Sequence, residues 1–105
     1  MSLEASGWKV GTAQEFLNLT AAEAALLEMK LALSDGLRDL RTQRSLTQTE
    51  VAEAIGSSQS RVAKMEAADP SVSMDLLVRT LLRLGASPEA VASLVSGSAR
   101  AKAAV

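Results

Sequence analysis

Leu46-Thr47-Gln48-Thr49-Glu50-Val51-Ala52-Glu53-Ala54-Ile55-Gly56-Ser57-Ser58-Gln59-Ser60-Arg61-Val62-Ala63-Lys64-Met65-Glu66 is the stretch on which the fold turns. It encodes two short helices, each with its own opening signal. Thr47-Gln48-Thr49-Glu50 is a capping box, in which the Thr hydroxyl and the Glu carboxylate each accept a backbone N–H that the helix leaves unpaired. The helix it opens turns Val51, Ala52 and Ile55 inward. Gly56 ends it, because glycine enters the left-handed conformation without steric cost. Ser58 supplies the next N-cap, and the second helix runs to about Ala67. Ala52 is small where the two axes would cross closely. A short turn centred on Gly56 sets the helices far from parallel, which is the helix-turn-helix arrangement.

Reading outward, Thr20-Ala21-Ala22-Glu23 is another capping box, with Leu19 placed as a hydrophobic staple. Leu26, Met29, Leu33, Leu37 and Leu40 step by three and four and form one helical face. Leu27 and Leu31 form a second stripe, so this helix is expected to be covered on two sides or to help form a dimer. Gly36 is expected to mark a kink or a break. On the C-terminal side, Asp69-Pro70 makes a turn, since proline disfavours helix in the residue before it. Ser73 caps a helix with Met74, Leu77, Val78, Leu81 and Leu84 on its apolar face and Gly85 as its stop. Ser87-Pro88-Glu89 starts a last helix carrying Val91, Leu94 and Val95, expected to end near Gly97. The expected organisation is an N-terminal arm over 1–19, a five-helix all-α domain over 20–97 and a flexible tail over 98–105. In the arm, Trp8, Val10, Phe16 and Leu17 are the residues able to dock elsewhere. The chain has no internal repeat.

Composition narrows the chemistry. The chain has 105 residues, eleven Lys or Arg against twelve Asp or Glu, and neither Cys nor His. A length of this order suggests one domain whose core can just support itself. Without Cys or His there is no disulfide, no thiolate metal site, no Cys nucleophile and no imidazole base. Zinc enzymes, Ser-His-Asp hydrolases and Cys proteases are excluded, and no cofactor or metal is expected. Apolar residues make up 48 %, yet Trp8 and Phe16 are the only aromatics, so the core is built from Leu, Val, Ala and Met, mostly helix formers. Charge is uneven: residues 1–30 hold two Lys against four Glu, 31–66 five of each sign, and 67–105 four positive against three negative. Every apolar run is broken by charges, so no membrane span is expected. The start lacks a basic region followed by an apolar one, so no secretory signal is read and a cytoplasmic location is expected.

The second helix of the opening stretch presents a distinctive surface. At about 100° per residue, Val62 and Met65 fall on one side. Gln59, Ser60, Ala63 and Lys64 fall on the other, with Arg61 on the flank. The outward set is small or hydrogen-bonding, with one cation and no carboxylate, as a DNA-reading face requires. Gln59 can pair with an adenine edge and Lys64 can donate to guanine, each at about 1–3 kcal/mol of base discrimination. Arg61 suits a phosphate. Gln48, at the N-terminus of the preceding helix, suits a phosphate too, because the free N–H groups and the helix dipole favour an anion there.

The same residues resemble the helix-turn-helix of phage-repressor-like (Cro/C1, or XRE) regulators, which follow the pattern LTQxELAxxLGxSxSxVSxIExG. The likeness spans about residues 31–85. It implies a sequence-specific, non-catalytic repressor of double-stranded DNA and the same roles for Gln48, Gln59, Ser60 and Lys64; with Thr49, Ser58 and Arg61 these form the expected DNA-binding set. It also implies a structural ion pair between Arg41 and Glu66 that fixes the first helix against the third. Two positions depart from the pattern. Ala68 stands where the family usually has Gly, so that helix end is expected to be capped differently or to run on. Ser57 replaces a packed Val. The run SSQSRVAKMEAADPSVSMDLLVRTLLRLG further resembles Hig-type antitoxins, which implies a RelE-superfamily toxin as partner and repression of the chain's own operon.

Leu76, Leu82, Val91, Leu94 and Val95 are either core or the face of a homodimer, which would let two recognition helices read two half-sites. The arm and the first helix either pack structurally or hold a toxin. The rival to DNA binding is a protein–protein interaction module that kept the fold, which the mild net charge leaves open. An enzyme is not expected: Glu23, Glu28, Asp35 and Asp39 lie along one helix among Lys and Arg, a surface pattern.

Overall fold

The computed structural model describes the backbone of residues 20–104 and the side chains of residues 20–97. The described residues form five helices: α1 (Ala21–Gln43), α2 (Gln48–Ile55), α3 (Gln59–Glu66), α4 (Met74–Arg83) and α5 (Pro88–Ala104). The expected arm, with Trp8, Val10, Phe16 and Leu17, and the Leu19 staple lie outside the described residues.

Each opening is local chemistry. At α1, the N–H of Glu23 donates to Thr20 Oγ1 at 3.0 Å and the N–H of Thr20 to Glu23 Oε1 at 2.9 Å. Thr47 and Glu50 repeat this at α2 at 2.8 and 3.0 Å. The hydroxyls of Ser58, Ser73 and Ser87 accept the N–H groups of Arg61, Leu76 and Ala90 at 3.2, 3.1 and 3.0 Å. One such cap typically contributes about 1 kcal/mol.

Four ends close alike. Ser45, Gly56, Ala68 and Gly85 have φ of 56°, 68°, 53° and 101°. The next residue's N–H reaches back five positions, from Leu46 to Arg41, Ser57 to Ala52, Asp69 to Lys64 and Ala86 to Leu81, at 2.8–3.0 Å. This is the Schellman closure. The expectation for Ala68 is thereby corrected: α3 neither runs on nor changes its cap. Alanine takes up the left-handed conformation itself, at a cost of roughly 1 kcal/mol relative to glycine.

Two other expectations are corrected. Gly36 neither kinks nor breaks α1. It lies buried within a continuous helix, and a Cβ there would come within 2.5 Å of a Leu94 methyl, so its role is the close approach of α5. Nor does the last helix stop near Gly97; α5 continues to Ala104. Its extension is rich in Ala with Arg and Lys, good helix formers, and the cost of one internal glycine, about 1 kcal/mol, is tolerated.

The core is aliphatic. Leu33 and Leu37 of α1, Val51 of α2, Val62 and Met65 of α3 and Leu77 of α4 are completely buried, and Leu81 nearly so. α1 packs along α5 and against α3 and α4, while α2 packs on α3. Only part of the expected face of α1 is used. Leu33 and Leu37 are inside and Met29 and Leu40 are half-buried, but Leu26 is 53 % exposed. Leu27 and Leu31, the second stripe, are exposed as well. Of the residues in question between core and dimer face, Val91 is buried, Leu76, Leu94 and Val95 are half-buried against the core, and Leu82 is exposed.

Candidate nucleic-acid interface

The helix-turn-helix is held from behind by one ion pair. Arg41 of α1 donates through Nε to Glu66 Oε2 at 2.6 Å and through a terminal nitrogen to Oε1 at 3.0 Å. A further N–H of Arg41 reaches the Leu46 carbonyl at 3.0 Å. Both side chains are largely shielded, with 16 % of Arg41 and 5 % of Glu66 exposed. The bidentate geometry is the strong form of such a contact. The hydrogen bond to Glu66 raises the pKa of Arg41 above its already high value, against the opposing pull of burial. One guanidinium thus ties the end of α1, the residue before the α2 cap and the end of α3 together.

Glu66 also fixes two amides in series. A carboxylate only accepts hydrogen bonds, so Gln48 must turn its nitrogen toward it, and Gln48 Nε2 donates to Glu66 Oε1 at 3.1 Å. The Gln48 oxygen is thereby directed at Gln59, whose Nε2 donates to it at 2.7 Å. Gln59 is left with its own oxygen and one N–H, and its side chain is exposed. The chain of bonds ends in an outward amide whose donor and acceptor are already assigned. The side chain of Gln48, read from sequence as a phosphate ligand, is half-buried and engaged within this relay. Its backbone N–H remains in the first turn of α2.

The other residues of the expected set lie around this amide. Ser60, Arg61 and Lys64 are exposed on α3, and Thr49 is exposed in the first turn of α2. Ser58 is committed as the α3 cap, with its Oγ 3.3 Å from that of Ser60. Val62 and Met65 face the core, and the outward side of α3 carries no carboxylate. Past its end, Asp69 accepts both the N–H and the hydroxyl of Ser71, at 2.9 and 2.6 Å. These bonds, with help from Lys64 and Lys30, hold its carboxyl below the usual range. The Asp69 carbonyl accepts from Lys30 Nζ at 2.9 Å, which anchors the loop to α1.

Two cations beyond the expected set border α3. Arg83 donates to the Ile55 carbonyl at 2.8 Å, closing the end of α2. Arg79 pairs with Asp75, both about 70 % exposed. Their spacing along α4 is visible in sequence, but their proximity to α3 depends on how α4 crosses it.

The fold and the polar relay define a helix-turn-helix domain. A family model for the helix-turn-helix domain matches residues 32–94, more than half of the chain, and the protein belongs to that family. No curated protein and no solved structure matches it. No described helix is long and apolar enough to cross a membrane.

Proposed function

We propose that this protein is a transcriptional repressor that binds duplex DNA through α3, acting as a homodimer in the cytoplasm. The observation that carries the reading is the relay from Arg41 through Glu66 and Gln48 to Gln59. It ends in an exposed amide with one acceptor and one donor, the complement of the N6–H and N7 of adenine in the major groove. Lys64, about 7.5 Å further along the helix at 1.5 Å per residue, suits guanine. Ser60 suits either base, and the N-terminus of α2, with Thr49, suits a phosphate. A two-fold dimer would read half-sites about 34 Å apart.

The finer reading is an antitoxin that represses its own operon together with a RelE-superfamily toxin. It is supported by the resemblance of residues 57–85 to Hig-type antitoxins and by Leu26, Leu27 and Leu31 in the first half of α1, which are exposed among the described residues. The same leucines, with a net charge of −1, favour the rival reading of a protein-binding module.

Salt titration separates the two. Specific binding to the DNA upstream of the protein's own gene weakens steeply as salt rises, by counterion release. Lys64→Ala lowers affinity for that duplex while leaving the fold intact. Flat salt dependence, or no retention on that duplex, supports the interaction module instead. Equal binding by the variant removes Lys64 as a reader.

A further inference from the structure

The side of α3 that faces α4 carries a furrow made of two adjoining hollows of about 290 Å³ each. Arg61 and Leu76 line both. Lys64 lies in the first hollow, Arg79 and Arg83 in the second. Four cations therefore line the furrow, with the hydroxyls of Ser58, Ser60 and Ser71 in the first hollow and that of Ser57 in the second. No carboxylate lines either hollow.

We propose that this furrow holds the phosphate backbone of one DNA strand, and that Arg79, on a helix outside the helix-turn-helix, is a DNA-contacting residue. The inference rests on the DNA-binding reading above and extends it to α4. The layout of the cations favours a strand over a small anion. Lys64 follows Arg61 by about 4.5 Å along α3, and Arg83 follows Arg79 by about 6 Å along α4. With Lys64 in one hollow, Arg79 and Arg83 in the other and Arg61 lining both, the positive charge is spread over the furrow instead of being gathered in one hollow. Its members are also available. Arg61 makes no side-chain hydrogen bond or ion pair among the described residues. Arg83 uses one terminal nitrogen on Ile55 and keeps the other. Among the described residues Arg79 is held only by Asp75, in an exposed i,i+4 pair of a kind that contributes little, so a phosphate can compete for it. This cationic track also explains how a chain of net charge −1 can hold DNA, since the positive charge is concentrated beside the reading helix.

The test compares the full-length protein with Arg79→Gln on two duplexes of equal length, one from upstream of its own gene and one of random sequence, over a range of salt. Arg79 is exposed, so the variant keeps the fold, which its melting temperature checks. The expected result is a similar weakening on both duplexes and a slope of log K against log[salt] shallower by about 0.9, the loss of one phosphate contact. Arg79→Lys restores the slope. An unchanged slope in Arg79→Gln, or a loss confined to one duplex, overturns the backbone site while leaving the DNA-binding reading in place. Absent or salt-independent binding by the unmodified protein overturns both.

Discussion

The two flanks of α3 are built in opposite ways. Toward α1 and α2, a series of polar groups is fixed one by the next: Arg41 holds Glu66, Glu66 turns Gln48, and Gln48 turns Gln59. Toward α4, Arg61 is exposed and Arg79 is paired at the surface. The difference follows from what each flank would have to do. Reading a base edge requires a donor and an acceptor in assigned places, and a shielded network supplies that at the cost of burying charge. Attracting a phosphate requires only a positive charge within reach, and a long flexible cation supplies that without support.

Breaking the fixed flank gives the largest effect. Glu66→Ala leaves Arg41 shielded and unpaired and is expected to destabilise the domain by about 3 kcal/mol, read as a lower midpoint in urea. The double variant Arg41→Met, Glu66→Leu removes both charges and is expected to be more stable than either single removal, because no uncompensated charge remains. If the double variant is the least stable, the pair is not the support described here.

The next effect is on recognition. Gln59→Ala is expected to lower discrimination at one base pair by about 1–3 kcal/mol, measured by competition among duplexes that differ at single positions. Gln48→Ala is expected to act on the same base pair by a smaller amount, about 1 kcal/mol, because it unfixes the Gln59 amide without removing it. The salt slope stays where it was. Uniform weakening on all sequences would return Gln48 to a direct phosphate role.

Smaller effects concern the left-handed closures that end α2 and α3. Ala68→Gly relieves the left-handed alanine and is expected to stabilise by about 1 kcal/mol. The converse change Gly56→Ala, at φ 68° in open space, is expected to cost about as much. Thermal melts that move the two variants in the same direction would contradict this account.

The smallest effect concerns pH. Asp69 ionises more readily in the folded protein because Ser71 donates two hydrogen bonds to it. The folded state therefore favours its charged form. That stabilisation is complete above the ordinary carboxylate value of about 3.9 and is lost as pH falls through the lowered native value. Asp69→Asn is expected to remove this part of the acid sensitivity, read from urea midpoints between neutral and acid pH.

Helix openings were legible in sequence because a cap is a contact between residues three apart. Thr20 with Glu23, Thr47 with Glu50, Ser58 and Ser73 all make the bonds their spacing implies. The inward residues of α2 and α3 were legible because a short helix has one buried side. Where a position depended on a partner far along the chain, the reading failed or stayed open. Gly36 looked like a break because the Leu94 methyls that occupy its missing side chain's place belong to another helix. Leu26 continued an apolar stripe in spacing, but the described residues provide no neighbour to cover it. Ala68 looked incompatible with the closure it makes, because alanine carries a conformational cost there that glycine does not, yet the backbone bond from Asp69 to Lys64 forms all the same.

By itself, then, the sequence determined five helices, their N-caps and the polar, carboxylate-free outward side of α3, since all of these follow from contacts within one or two turns. Only the tertiary structure decided that Gln48 would be spent on orienting Gln59, that one arginine of α1 would brace the end of α3, and that the cations of α4 would line up beside it. Those juxtapositions join residues 11 to 25 positions apart or lie on separate helices. They exist because burying the aliphatic core sets where each helix crosses its neighbours, a quantity that no local spacing contains.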